Sequence, residues 1–174
     1  MEPNTPHPIV SNFSIDDDDD EPSNNVLDAL RAVISKSVKR PDIFIEVPER
    51  PGVSVRISPN ITQDKLRKWR KNAGEDSKAG MDTVGFGCAV VGHTCTGISI
   101  NGEVVRDSRG VALTFASPEI LAMTQTTRPM PDCIKAFFGI EPHIEAAAVV
   151  IMEASGYGDT VEAEDPTRTS STNL

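Results

Sequence analysis

The sequence predicts an α+β fold: a mostly helical single domain with a small antiparallel sheet, set between acidic N- and C-terminal tails that we expect to be disordered. Several segments repeat apolar residues at helical spacing, while short alternating runs flank two turn signals. Both chain ends are acidic or rich in Ser and Thr and lack apolar periodicity. We therefore divide the 174 residues into a disordered arm (1–23), a folded domain (24–158) and a disordered tail (159–174).

The first predicted element is an amphipathic helix over roughly residues 25–39. Asn24 or Asn25 is available as its N-cap, and Pro41 is expected to stop it. The apolar residues that recur at helical spacing are Val26, Leu27, Leu30, Val33, Ile34 and Val38.

A hairpin and a helix are predicted next. Residues 43–47 and 53–57 alternate apolar and polar side chains around a turn. Thr62 is a good N-cap for the helix that follows, which should run to Ala73 and end at Gly74.

The segment 81–95 fits a helix or a strand, because its apolar residues match both periods. We favour a helix with Asp82 as its cap, although its glycines weaken that prediction. Asn101-Gly102 is a strong signal for a second hairpin, and residues 111–116 are suited to a third strand beside it.

The rest of the domain is predicted to be helical. Pro118 opens one helix, Pro131 opens a second that ends at Gly139, and Pro142 opens a third that ends at Gly156. The buried stripe of this last helix is expected to be Ile144, Ala147, Ala148 and Ile151.

The net charge of −9 is unevenly distributed along the chain. Residues 1–30 carry eight acids and no base, residues 31–140 carry eleven acids and sixteen bases, and residues 141–174 carry seven acids and one base. Acidic arms around a mildly basic middle disfavour non-specific binding of the whole chain to nucleic acid or anionic membranes, since the arms repel phosphate. A basic partner fits this distribution better.

The cysteines and histidines do not form a recognisable chemical site. Cys88, His93, Cys95 and Cys133 nominally supply four zinc ligands, but their spacing is not that of paired zinc ligands, so we expect small buried side chains and no metal. No motif orders a Cys/His active site, and the glycine spacings match no nucleotide-binding motif. We therefore expect no cofactor and no enzymatic activity.

The cysteines, the N-terminus and the apolar runs together indicate the cellular compartment. Three cysteines in apolar contexts suit a reducing environment. The N-terminus lacks the basic and apolar regions of an export signal, and no run reaches the roughly 18 apolar residues of a membrane span. We expect an intracellular protein that does not cross a membrane.

The most conspicuous segment is a basic helix that surrounds Leu66 and Trp69 with five cations: Lys65, Arg67, Lys68, Arg70 and Lys71. One interpretation is contact with nucleic acid, and another is an anchor on an acidic or amphipathic partner. A third is a solvated basic face with Leu66 and Trp69 in the core, which their spacing of three residues also fits.

Four segments carry a resemblance to a known family. They are PNITQDKLRKWRKNAGEDSKAGMD (59–82), GHTCTGISINGE (92–103), LTFASPEI (113–120) and FFGIEPHIEAAA (137–148). In their order and wording they resemble the tail assembly chaperones of long-tailed actinobacteriophages. The likeness covers roughly residues 40–167.

The resemblance implies a non-enzymatic assembly factor in the cytoplasm of an infected bacterial host. Proteins of this kind are made late in infection, bind the tape measure protein, keep it soluble, promote polymerisation of the tail tube protein around it, and are absent from the mature virion. The family is commonly expressed as a short product and a longer product of programmed ribosomal frameshifting. The resemblance identifies this chain with the short form, with the longer form as one of its partners.

The resemblance transfers no site residues, so physical reasoning chooses them. A tape measure protein is long and largely helical, and helix-in-groove binding suits such a client. We hypothesise that Leu66, Trp69 and Arg70, with Ile144 and Ile151 of the last helix, border the groove.

Two other functions stay open at this stage. A nucleic-acid-binding regulator would use the basic helix over residues 63–73, and a minor structural virion protein would be found in purified particles. A homo-oligomer is also compatible with the sequence.

Overall fold

The computed structural model describes residues 22–158. The chain divides into two compact units, Met1–Val38 and Lys39–Leu174. The predicted tails lie outside the described residues, except that residues 22 and 23 belong to a helix. The fold class is confirmed as mostly helical α+β with a small antiparallel sheet.

The first helix, α1, spans Pro22–Ile34 in the first unit. It begins before the predicted cap and ends five residues before the predicted position, so Asn24 and Asn25 lie inside it. Proline suits the first position of a helix, because its fixed φ is already helical and no N–H is lost there. At the other end, the Ser35 hydroxyl donates to the Ala32 carbonyl oxygen (3.1 Å), which offers the backbone an alternative to a further helical turn.

The sheet has four antiparallel strands in the order β1-β2-β3-β4. The first predicted hairpin is confirmed as β1 (Ile43–Glu46) and β2 (Val53–Ile57), and the second as β3 (Cys95–Ile100) and β4 (Glu103–Val104). At the second turn Asn101 and Gly102 both have positive φ, as an Asn-Gly hairpin requires.

The strand predicted at 111–116 is not present. A single bridge joins Arg106 and Ala112, after which the Leu113 amide donates to the Val105 carbonyl oxygen (2.9 Å). The chain then turns: the Ser117 hydroxyl accepts the Thr114 amide (2.9 Å), and the Ser117 amide donates to the Thr114 carbonyl oxygen (3.0 Å).

The two helices at the centre of the fold have the predicted caps. In α2 (Gln63–Asn72) the Thr62 hydroxyl accepts the Lys65 amide (3.4 Å). In α3 (Thr83–Thr94) the Asp82 carboxylate accepts the Gly85 amide (2.8 Å). The ambiguous segment 81–95 is therefore mainly helix, as predicted.

Three further helices follow the sheet: α4 (Pro118–Thr124), α5 (Ile134–Phe138) and α6 (Glu141–Ala154). Pro131 does not open α5 as predicted. It lies in an irregular turn over Pro129–Cys133 that leads into this helix, with a cis peptide bond between Met130 and Pro131. The helix does end at Gly139, as predicted, in the left-handed conformation.

The core of the second unit brings α3 and α6 together with the sheet and the aromatic residues Phe115, Phe137 and Phe138. The predicted stripe of α6 is confirmed: Ile144, Ala147, Ala148 and Ile151 are buried. A Cβ at Gly87 of α3 would lie 3.3 Å from the Ile144 Cγ2 atom, so this glycine allows a close approach of the two helices. Within residues 22–158, no helix is both long and apolar enough to cross a membrane.

Candidate functional site

The structure places most of the hypothesised groove residues in the interior. Leu66, Ile144 and Ile151 are buried, and no partner reaches them while the fold stays closed. The interpretation of Leu66 and Trp69 as core residues of a basic helix is confirmed. Arg70 is half-buried and lines none of the depressions around Trp69. Contact of these residues with a partner stays a prediction.

Trp69 differs from these three buried residues, because it lines depressions that are open to the surface. Its indole stacks on the imidazole of His93, with ring centroids 5.1 Å apart and the planes inclined by 6°. Three adjoining depressions of about 230, 250 and 360 Å³ share this pair of rings. We call this surface the Trp69 depression.

Helix spacing positions the floor of the Trp69 depression. Leu66 and Trp69 are three residues apart on α2, so both face the core, and Leu66 fixes the helix there. On α3, small residues line the widest part of the depression at Gly85 and Ala89. The small Ala89 side chain leaves space between α2, α3 and the turn at Met130.

The rim of the depression is basic. Lys65 and Lys68 line it from α2, together with Asn72. Among residues 22–158, the one ion pair of α2 joins Arg67 Nη1 to Asp64 Oδ1 at 3.7 Å, which leaves both rim lysines without an acidic partner. An anionic group placed at this rim would gain from both cations.

The surroundings of His93 favour its neutral form. Burial lowers its pKa below the usual 6.5, and the charges of Lys65 and Lys68 lower it further. Neutral imidazole is therefore the main form at neutral pH, and the positive charge of the rim comes mainly from the two lysines. Together, a flat aromatic floor and a lysine rim suit a protein segment that offers an apolar or aromatic side chain next to a carboxylate.

Cys88 and Cys95 lack the lowered pKa of a reactive thiol. Burial raises the pKa of Cys88 and of Cys95 to about 11, so both thiols are protonated at neutral pH and are poor nucleophiles. No group of three or more His, Cys, Asp or Glu residues within 22–158 is arranged to hold a metal ion.

Sequence reasoning identified Trp69 but missed His93 as its stacking partner. The two residues are 24 positions apart, and no local pattern in the sequence joins them. For the lysines, the sequence indicated only that the helix is basic. Which lysines line the depression depends on where α3 packs against α2.

A second exposed surface lies on α1. Five apolar side chains there are between 52% and 71% exposed: Val26, Leu27, Leu30, Val33 and Ile34. Soluble proteins rarely leave such a contiguous apolar helix face uncovered, so this face is also a candidate for binding.

Comparison with known proteins adds no relative: no protein-family model, curated protein or solved structure matches this chain.

Proposed function

We propose that this protein is a phage tail assembly chaperone, without enzymatic activity, that binds the tape measure protein in the cytoplasm of the infected bacterial host. In this role it keeps the tape measure protein soluble, promotes tail tube assembly and is absent from the mature virion. The resemblance of four segments supports the family. The observation that carries a binding role is the Trp69 depression, in which the exposed His93 ring lies on the indole and the two rim lysines have no acidic partner among residues 22–158.

The depression suggests how a client would bind. A helical client would place an apolar side chain on the stacked rings of Trp69 and His93 and a carboxylate near Lys65 or Lys68. Side chains three or four positions apart on a client helix lie on one face, so a single helix can present both groups. The same proposal includes the tail tube protein and a longer, frameshifted form of this chain as partners.

Charge reversal at the rim tests the site without disturbing the core. Lys68 and Lys71 are both exposed on α2, but only Lys68 lines the depression. Lys68→Glu should weaken binding of purified tape measure segments about tenfold, since it places an anion where the client offers another, while Lys71→Glu should have little effect. Isothermal titration calorimetry measures both. Equal affinities for the two variants would remove the depression from the client site.

Trp69→Ala is a less specific test. The indole is 6% exposed and packs in the core, so its removal is expected to cost about 3–5 kcal/mol of stability. Weak capture of the client by this variant is informative only when circular dichroism shows that the domain is still folded.

One observation favours a second candidate, a nucleic-acid-binding regulator. Lys65, Arg67, Lys68 and Lys71 are all exposed along α2. This candidate predicts salt-sensitive DNA binding by residues 40–158, weakened similarly by Lys68→Glu and Lys71→Glu because phosphate contacts are additive and non-specific. Gel shifts at two salt concentrations separate it from the chaperone.

A further inference from the structure

We propose that the apolar face of α1 is a self-association surface on which α1 of a second copy of this chain packs in the antiparallel direction. The inference is independent of the proposed client and of the Trp69 depression. It rests on the exposure and spacing of the apolar residues of α1 and on the charges that flank this helix in the sequence.

The apolar residues of α1 form one continuous stripe. Successive residues of a helix are rotated by about 100°, so the five exposed apolar side chains occupy an arc of about 120° whose centre is Leu30. This side chain is 52% exposed, and the other four are more exposed. Residue Ala32 lies on the opposite side of the helix. A stripe centred on one residue suits a symmetric pair, with Leu30 next to the two-fold axis.

A two-fold axis at Leu30 pairs apolar residues throughout. Val26 of one copy then faces Ile34 of the other, and Leu27 faces Val33. An isolated helix of 13 residues is marginal in water, so covering this stripe would also stabilise the helix itself. The interface is self-complementary, as a two-fold dimer requires.

The flanking charges select the antiparallel direction. Six acids, Asp16–Glu21, directly precede α1, whereas the chain after Asp28 carries four bases and no acid until Asp42. Parallel packing would bring the two acidic runs together. Antiparallel packing brings the acidic run of each copy toward the basic end of the other, where Lys36 is exposed. The same charges also suit the dipole of a single helix, but the dipole gives no reason for the apolar stripe.

The pairing should be reversible and dependent on concentration. Five side chains from each copy make an interface smaller than the roughly 1,200 Å² of a stable complex. Sedimentation equilibrium of the full chain should show the mass rising from 18.7 kDa toward twice that value over roughly 10–500 µM. A constant mass of one chain over that range overturns the proposal, and it is the outcome expected if α1 binds only a different protein.

Two matched substitutions locate the surface. Leu30→Asp places two carboxylates at the axis and should abolish the rise in mass, whereas Ala32→Asp introduces the same residue on the opposite face and should leave the rise unchanged. Circular dichroism of both variants checks that the domain beyond Val38 stays folded. An undiminished rise with Leu30→Asp, or an equal loss with Ala32→Asp, removes this face from the interface.

Cysteine cross-linking tests the direction. In the antiparallel pair, two cysteines introduced by Leu30→Cys meet near the axis, but those introduced by Ile34→Cys are separated by about 12 Å along the helices, since each residue advances 1.5 Å. A disulfide requires Cα atoms within about 7 Å. Mild oxidation should therefore cross-link only the Leu30→Cys chain. Cross-linking of both variants would indicate parallel packing and would overturn the antiparallel arrangement.

Discussion

Truncation of Ile144 gives the sharpest expectation for the stability of the second unit. Its side chain is 0% exposed and packs where α3 and α6 approach at Gly87. Ile144→Ala removes three buried carbons at about 0.8 kcal/mol each, and the cavity that remains raises the expected loss to about 3–4 kcal/mol. The branched side chain faces a helix backbone, so the neighbouring residues have little freedom to fill the space.

Urea denaturation followed by circular dichroism measures this loss. With an m-value of about 1.5 kcal/mol/M, the midpoint should fall by about 2 M at unchanged slope. The matched control is Val149→Ala on the same helix, where the side chain is 56% exposed and a change within about 0.5 kcal/mol is expected. A loss below 1 kcal/mol for Ile144→Ala, or equal losses for the two variants, would refute the described packing of α6 on α3.

Three further predictions concern the thiols, the stacked histidine and a helix cap. At pH 8, Cys88 and Cys95 should react with iodoacetamide about a hundredfold more slowly in the native protein than in urea, because raising the pKa from 9.0 to about 11 lowers the thiolate fraction by that factor. Mass spectrometry of timed samples measures the two reaction rates. Equal rates would contradict the burial of these thiols. In an NMR titration His93 should show a pKa below 6.5, and Lys68→Glu should raise it by replacing a cation with an anion. Since the folded state favours the neutral imidazole, the stability that His93 contributes is present above pH 6.5 and is lost as the pH falls through the pKa of the folded state. A His93 pKa of 6.5 in the folded protein would contradict its burial beside the two lysines. Thr62→Ala should cost about 0.5–1 kcal/mol in urea denaturation through loss of the α2 cap, and no measurable cost would show that the 3.4 Å bond contributes nothing.

Local signals were sufficient where a side chain acts on its own backbone. The caps at Thr62 and Asp82, the turn at Asn101-Gly102 and the stop at Gly139 depend on interactions within a few residues, and the structure has all four. The 3.6-residue period of α6 likewise identified its buried stripe, because one face of a helix repeats in the sequence.

Predictions failed where a competing contact decides the conformation. The alternating pattern at 111–116 suits a strand, but the chain turns where the Ser117 hydroxyl accepts a hydrogen bond from the Thr114 amide. The helical period of α1 continues to Val38, yet the helix ends at Ile34, next to Ser35, whose hydroxyl donates to the Ala32 carbonyl oxygen.

Only part of the candidate site was predicted, because its shape depends on contacts between residues that are distant in the sequence. Apolar residues on a helix indicate burial, but the sequence does not say whether a buried side chain also forms the floor of an open surface. Trp69 does so because His93 stacks on it and Ala89 leaves space beside it. Ile144 and Ile151 are the same kind of residue in sequence, yet both are enclosed completely.

Co-expression with the tape measure protein tests the central claim most directly. The soluble fraction of the tape measure protein is measured by quantitative immunoblotting after expression alone, with this protein, and with its Lys65→Glu/Lys68→Glu or Lys71→Glu variants. We expect this protein and the Lys71→Glu variant to keep the tape measure protein in the soluble fraction, and the double variant to leave most of it in the pellet. A soluble fraction that is the same with and without this protein would contradict the chaperone function.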